Sequence, residues 1–338
     1  MDDVILRLED LRIEFQTPEG TVKAANGVSL ALKRGRTLAL TGESGAGKSS
    51  VGLAVLGLLA HPGRVASGGI HYDGRDLLAL STEEMRRVRG REIAIVFQDP
   101  ATGLNPVLTV GEQVEEIITT HLDLPKREAK KRCLEVLAQV GLPEPEQMAK
   151  RYPFHLSGGM AQRVMIAIAT ALNPSVLIAD EPTSALDVTV QAGILDDLTR
   201  LQQRHGTSIL LITHDLGVVA QMADDVAVMY AGSIVEEGRV REVFQRPRHP
   251  YTWALLASRP RLDAETRQRL PSIRGNPPNL AELPAGCAYV PRCPKATTLC
   301  RTEPAPALEE LEPRHLAACY NPVYHAEAPA AGQQYAEA

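Results

Sequence analysis

Eight residues, Gly42-Glu43-Ser44-Gly45-Ala46-Gly47-Lys48-Ser49, constrain this chain more than any other stretch. They fit G-x-x-x-x-G-K-[ST], in which glycines let the backbone curl until successive N–H groups face one anion. Thr37-Leu38-Ala39-Leu40-Thr41 is a compact apolar strand entering the loop, and a helical stretch from Lys48 to about Leu59 leaves it. That order brings the positive end of a helix to the same point as the loop N–H groups. Gly42, Glu43, Ser44, Gly45, Ala46, Gly47, Lys48, Ser49 and Ser50 are therefore candidate phosphate-binding residues. Lys48 can reach β- and γ-phosphates, and the Ser49 hydroxyl can ligate Mg²⁺.

A second segment, Val176-Leu177-Ile178-Ala179-Asp180-Glu181, is an apolar strand ending in two carboxylates. Ligands of parallel α/β sheets sit at this end of the strands. Asp180 is the candidate Mg²⁺ ligand and Glu181 the candidate group that polarises an attacking water. Ile93–Phe97 and Ser208–Ile212 read as further buried strands, with helical stretches between the last two. The fold class is α/β with a parallel core sheet.

Two regions depart from that pattern. Residues 4–40 alternate short apolar runs with turn signals, with short strands at Val4–Leu8, Arg12–Phe15 and Val28–Leu32, and Pro18-Glu19-Gly20 marks a hairpin, which predicts an antiparallel β subdomain. Residues 105–155 read as an inserted helical subdomain, with helices over Val110–His121 and Arg127–Val140. Ala129, Cys133, Val136, Leu137 and Val140 share one face, Gly141 is a plausible C-cap, and Cys133 is a core residue.

Charge and hydropathy exclude some classes of function. With 36 Lys plus Arg against 41 Asp plus Glu, the net charge of −5 argues against general binding to a phosphate backbone. The longest apolar stretches, Val51–Ala60 and Val164–Leu172, are about half of what a bilayer span needs. The acidic start, Met1-Asp2-Asp3, resembles neither a secretory signal nor a transit peptide, so a soluble cytosolic chain is expected.

Leu156-Ser157-Gly158-Gly159-Met160-Ala161-Gln162-Arg163 resembles the signature motif of ATP-binding cassette (ABC) ATPases, and the other motifs of that family follow in order. Gln98 in Val96-Phe97-Gln98-Asp99-Pro100 resembles the Q-loop glutamine. Ser184-Ala185-Leu186-Asp187 is similar to the D-loop, and His214 in Ile212-Thr213-His214-Asp215 to the switch histidine. Phe15 sits where the family places an aromatic residue against adenine, although an aromatic on an edge strand can equally be packed. The resemblance implies an ATPase of the P-loop NTPase fold with catalytic residues Glu181, His214 and Gln98. It adds Gln98 to Ser49 and Asp180 as Mg²⁺ ligands. It further implies that two subunits pair head to tail, with Ser157, Gly158, Gly159 and Gln162 facing ATP held by the partner, and that Asp187 belongs to the D-loop.

The C-terminal third narrows the branch. Arg248-His249-Pro250-Tyr251-Thr252-Trp253 resembles the opening of the extension found in ATPase subunits of dipeptide and oligopeptide importers, closest to their D-type subunits. Asn105-Pro106, Leu186-Asp187-Val188-Thr189-Val190-Gln191 and Gly286-Cys287 with Pro291-Arg292-Cys293-Pro294 fit the same branch. The organisation expected is an ATPase domain over 1–238, an extension over 239–325 and a disordered tail over 326–338. The partners implied are a second, paralogous ATPase subunit, two transmembrane permeases and an extracytoplasmic peptide-binding protein, with no nucleic acid. The place implied is the cytoplasmic face of the cell membrane, peripherally. The alternative is a soluble ABC ATPase acting on nucleic acid or another macromolecule.

Cys287, Cys293, Cys300 and Cys319 have five, six and eighteen residues between them. Four thiolates can hold a [4Fe–4S] cluster or a tetrahedral Zn²⁺, and free thiols in a small core are the third option. Spacing alone does not choose, and the resemblance to cluster-bearing members of the branch favours [4Fe–4S]. A structural role is the simpler expectation, since a Pro-rich segment of this size has little core of its own.

Overall fold

The computed structural model describes residues 3–184, 186–258 and 273–324. The expected tail over 326–338 and D-loop residue Ala185 lie outside them. The strands are β1 (Val4–Thr17), β2 (Gly20–Lys33), β3 (Thr37–Thr41), β4 (Gly63–Tyr72), β5 (Arg75–Asp76), β6 (Ile93–Val96), β7 (Val176–Asp180), β8 (Ser208–Thr213), β9 (Asp225–Tyr230), β10 (Ser233–Arg239), β11 (Glu309–Glu312) and β12 (His315–Ala317).

Alternating apolar residues draw β1 and β2 into an antiparallel hairpin, closed at Thr17 and Gly20 around Pro18-Glu19. The sequence reads β1 as two short strands, whereas it is continuous. Its polar interruption at Glu9-Asp10 is an irregularity of register between Leu8 and Leu11, with Asp10 at a φ of 43°. A bulge absorbs the extra residues and returns the apolar side chains to the core face. With β4 and β5 these strands form a sheet in the order β2-β1-β4-β5.

The main sheet runs β11-β12-β10-β9-β3-β8-β7-β6. From β9 to β6 it is parallel, and every residue of β3, β7 and β8 is buried. Strands covered on both faces need unbroken apolar sequence, which these have. The helical insertion holds helices Val110–His121 and Lys126–Gln139. Thr109 and Glu112 close the first helix with reciprocal capping bonds, and Gly141, at a φ of 70°, lets the chain turn after the second. The five residues expected on one face are all buried, and burial pushes the Cys133 thiol up to about 12, which keeps it unreactive.

The extension borrows a core rather than building one. β12 pairs antiparallel with β10, and β11 with β12, so residues near the end of the chain continue the main sheet. Tyr251 and Tyr289 pack with Val226, Val228 and Tyr230 in one apolar cluster. Glu236 and His315 are fully buried. Glu236 accepts the N–H groups of Arg248 (2.6 Å) and His249 (2.9 Å) and pairs with His315 Nε2 (2.7 Å). Among the described residues no helix is long and apolar enough to cross a membrane.

Candidate nucleotide site

The parallel register decides where the site lies. β3, β8, β7 and β6 are neighbours, with Thr41 beside Thr213, Asp180 beside Ile212 and Val96 beside Ala179. The residues just past these strands are the 42–49 loop, His214, Glu181 and Gln98. Motifs scattered over more than a hundred positions therefore meet along one sheet edge.

The glycine loop is held tightly from both sides. A methyl group at Gly47, whose φ is 102°, would stand 1.8 Å from the Ala24 carbonyl oxygen on β2. At Gly42 it would stand 2.1 Å from the Met229 carbonyl oxygen on β9. Only glycine fits where backbone meets backbone. The loop leads into the helix Lys48–Val55. Lys48 is buried, and its Nζ donates to the carbonyl oxygens of Gly42 (2.8 Å) and Glu43 (2.9 Å). Burial lowers its pKa, opposed by the negative charges of Glu181, Asp180 and Glu43.

The Ser49 hydroxyl donates to Asp180 Oδ1 at 3.0 Å. Burial raises the Asp180 pKa, opposed by that hydrogen bond. A cation shared by these two oxygens would supply what burial withholds. Glu181 adopts a φ of 49°, uncommon for a residue with a side chain, and its N–H donates to the Ile212 carbonyl oxygen at 2.8 Å. The strained turn points its carboxylate at the exposed imidazole of His214, where Oε1 and Nδ1 are 2.6 Å apart. Such backbone outliers concentrate at functional sites. Gln98 is exposed beyond β6, next to Asp99, which caps the short helix Pro100–Gly103.

The remaining expected residues stand on other elements. Phe15 pairs with Gly63 of β4 and packs on the core of the antiparallel sheet, its ring occupying the space a Gly63 methyl would need. Ser157 caps the helix Gly158–Thr170 by accepting from the Met160 N–H. Gly159 abuts Val190, where a methyl would approach to 2.5 Å, so the signature stands against the D-loop and the helix Val188–His205. Gln162 is buried there, and its Nε2 lacks a hydrogen-bond partner among the described residues. Asp187 accepts from the N–H groups of Thr189 (3.1 Å) and Val190 (3.0 Å) as the cap of that helix. Asp187→Ala is expected to cost about 0.5–2 kcal/mol, read as a lower urea midpoint. An unchanged midpoint would show the cap to be replaced by solvent.

Two residues that the sequence does not announce also reach the site. The Tyr251 hydroxyl accepts the Glu43 N–H at 2.8 Å, and Arg292 pairs with the Glu43 carboxylate. Tyr251 is legible only as part of a branch motif, and nothing local to Arg292 names a partner 249 residues away.

Cys287, Cys293, Cys300 and Cys319 line one small pocket, together with His249, Tyr289 and Lys295. Burial, reinforced by the neighbouring thiols, pushes Cys293 up to about 11 and Cys319 up to about 12, and raises Cys287. Among the described residues, however, no group of three or more His, Cys, Asp or Glu stands close enough to hold a metal ion. The four cysteines thus converge on one pocket, but the described geometry gives no support to the expected [4Fe–4S] or Zn²⁺ centre.

Comparison with known proteins agrees with this arrangement. The profile of the ABC transporter family matches residues 25–184, and that of the oligopeptide/dipeptide transporter C-terminal region matches residues 235–300. The chain is 48% identical to the oligopeptide transport ATP-binding protein OppD of Escherichia coli, over 95% of this chain and 94% of that protein. It is also 48% identical to the dipeptide transport ATP-binding protein DppD of Bacillus subtilis, over 88% of each. Among solved structures, the dimeric ATP-binding cassette MJ0796 bound to ADP and Pi is 30% identical with a TM-score of 0.64, covering 70% of this chain and 99% of that one. The chain belongs to the ABC transporter family, as an ATP-binding subunit of its oligopeptide/dipeptide branch.

Proposed function

We propose that this chain hydrolyses ATP to drive import of di- or oligopeptides through partner permeases, bound peripherally at the cytoplasmic face of the membrane. The observation that carries the reading is the meeting of Lys48, the Ser49–Asp180 pair and the Glu181–His214 pair past adjacent strand ends. The loop N–H groups and Lys48 would hold the phosphates. Ser49 and Asp180 would hold Mg²⁺, with Gln98 as a third ligand, and the ion would neutralise charge on the β- and γ-phosphates. Glu181 would orient and deprotonate the attacking water, while His214 keeps the carboxylate in place.

Ser157 and Gly158 are exposed beside the chain's own D-loop, which supports their use by a second subunit. Ser157, Gly158 and Gly159 would then complete the partner's nucleotide site, with the buried Gln162 further along the same helix holding it to its own subunit, and closure would order both. The relatives' names support a peptide as cargo. A paralogous ATPase partner, two permeases and an extracytoplasmic peptide-binding protein complete the proposal. The chain's negative charge disfavours nucleic acid as a partner. Affinity capture from detergent-solubilised membranes should recover hydrophobic permeases and no nucleic acid. The reverse would sink the importer reading in favour of a soluble ATPase.

The four-thiol pocket belongs to this proposal as a structural [4Fe–4S] site, with Zn²⁺ as the alternative. The donor chemistry supports it. Backbone N–H groups point at all four sulfurs: Tyr289 and Val290 at Cys287, Lys295 at Cys293, Thr297 at Cys300 and Asn321 at Cys319. Such bonds stabilise thiolates over thiols. After anaerobic purification, brown protein with bound iron and broad visible absorption is expected. Colourless protein with stoichiometric zinc would reassign the site, and metal-free protein would leave it a thiol core.

A further inference from the structure

The extension reaches the phosphate-binding loop through a charged contact. Arg292 ends the short turn Val290–Arg292, directly before Cys293. Its side chain is only 4% exposed, although arginine seldom buries without a partner. The partner is Glu43, the second residue of the glycine loop. Nη1 donates to Oε2 at 2.6 Å and Nη2 to Oε1 at 2.9 Å, a two-pronged pairing. Arg292 is itself fixed: Nε donates to the Arg274 carbonyl oxygen at 2.8 Å, and the guanidinium lies 5.8 Å from the centre of the Tyr230 ring.

The same loop residue is held at its main chain. Tyr251, fully buried, accepts the Glu43 N–H through its hydroxyl. Its ring is locked between Tyr230 (4.5 Å between centroids) and Tyr289 (5.4 Å). The Glu43 carbonyl oxygen in turn accepts from Lys48 Nζ. An unbroken chain of contacts thus runs from the extension through Glu43 to the lysine that reaches the phosphates.

Stability alone is a poor reason for such a pair. Burying an ion pair gains little over well-packed apolar side chains of the same size. What a two-pronged ion pair does is fix one geometry. A glycine-rich loop has many conformations to lose on binding, and a loop already held loses fewer. We propose that Arg292, with Tyr251, is a positioning residue for the phosphate-binding loop, so that the extension sets the affinity for ATP. The proposal rests on the loop being the nucleotide site.

The test uses the full-length protein and a fluorescent ATP analogue in the presence of Mg²⁺. Arg292→Ala should weaken binding about tenfold, and Arg292→Lys should restore it only in part, because an ammonium cannot reproduce the fork. Glu43→Ala should weaken binding similarly, and the double variant no further, since both break one contact. ATPase assays of the assembled transporter should show a raised KM with kcat within about threefold, the mark of lost binding rather than lost chemistry. Affinity within twofold of wild type for Arg292→Ala, or strictly additive losses, would overturn the proposal. So would a lowered melting midpoint with unchanged affinity of the folded protein, which marks a merely structural contact. Lys48→Ala is the separate control. If wild type binds the analogue and Lys48→Ala binds it equally well, the loop is not the nucleotide site and the underlying reading fails instead.

Discussion

Glu181→Gln is expected to abolish ATP turnover while leaving ATP bound. The substitution keeps the size and backbone of the residue and leaves an oxygen or amide toward His214 Nδ1, now 2.6 Å from Oε1. What it removes is the carboxylate that can take a proton from water. Loss of a positioned base typically costs about 10²–10⁴-fold in rate. Steady-state ATPase activity of the assembled transporter should fall by at least about a hundredfold. With hydrolysis blocked, the closed state should accumulate, and gel filtration with ATP and Mg²⁺ should show a dimer that wild type loses on turnover. ATPase activity within about threefold of wild type would remove Glu181 from the role, since no base of this importance could be so lightly replaced. The backbone at Glu181 makes the comparison clean. Its left-handed conformation is imposed by the bond to Ile212 and the turn after β7, which Gln retains.

Glu236→Ala is expected to cost about 3–5 kcal/mol of stability, among the largest effects of any single substitution away from the site. Both oxygens of Glu236 are buried and used, by the N–H groups of Arg248 and His249 and by the His315 ring. Removing them leaves buried donors unsatisfied together, and His315 Nδ1 already lacks a hydrogen-bond partner among the described residues. Each orphaned group costs about 1–3 kcal/mol. The loss should appear as a lower midpoint in chemical denaturation and as early proteolysis after β10, where the extension would come away. A midpoint unchanged to within about 0.5 kcal/mol would mean that water or rearranged neighbours satisfy these groups. Glu236→Gln should cost less than Ala but still destabilise, because its amide must turn a donor toward one of the N–H groups.

Much of this was legible residue by residue. The strand–glycine loop–helix order, the strand ending in Asp180-Glu181 and the apolar face around Cys133 are local signals. Hydrogen-bonding geometry and periodicity act over a few residues and leave a direct mark on sequence. The hairpin turn at Pro18-Glu19 was equally plain. The reading of β1 as two strands failed because a bulge and a strand end carry the same polar residues. Phe15 illustrates another limit: an aromatic residue on a strand looks the same whether it packs or waits for a ligand.

The four cysteines show a third limit. Clustering in sequence told correctly that they converge, since all four line one pocket. The distance between sulfurs, which decides between a metal site and a thiol core, depends on side-chain geometry and on charge that no spacing encodes.

The sequence by itself determined the candidate residues for the chemistry. It named the phosphate loop, the acidic pair, the signature and the branch, because those functions need particular residue types at short, fixed spacings. The tertiary structure alone decided that the extension is part of the same sheet and the same site. β12 joins β10, Glu236 gathers Arg248, His249 and His315, and Arg292 crosses 249 positions to Glu43. Such contacts form only when packing brings distant segments within a few ångströms. Any arginine and any glutamate would look alike in the unfolded chain, and it is burial against Tyr230 and Tyr251 that selects this pair.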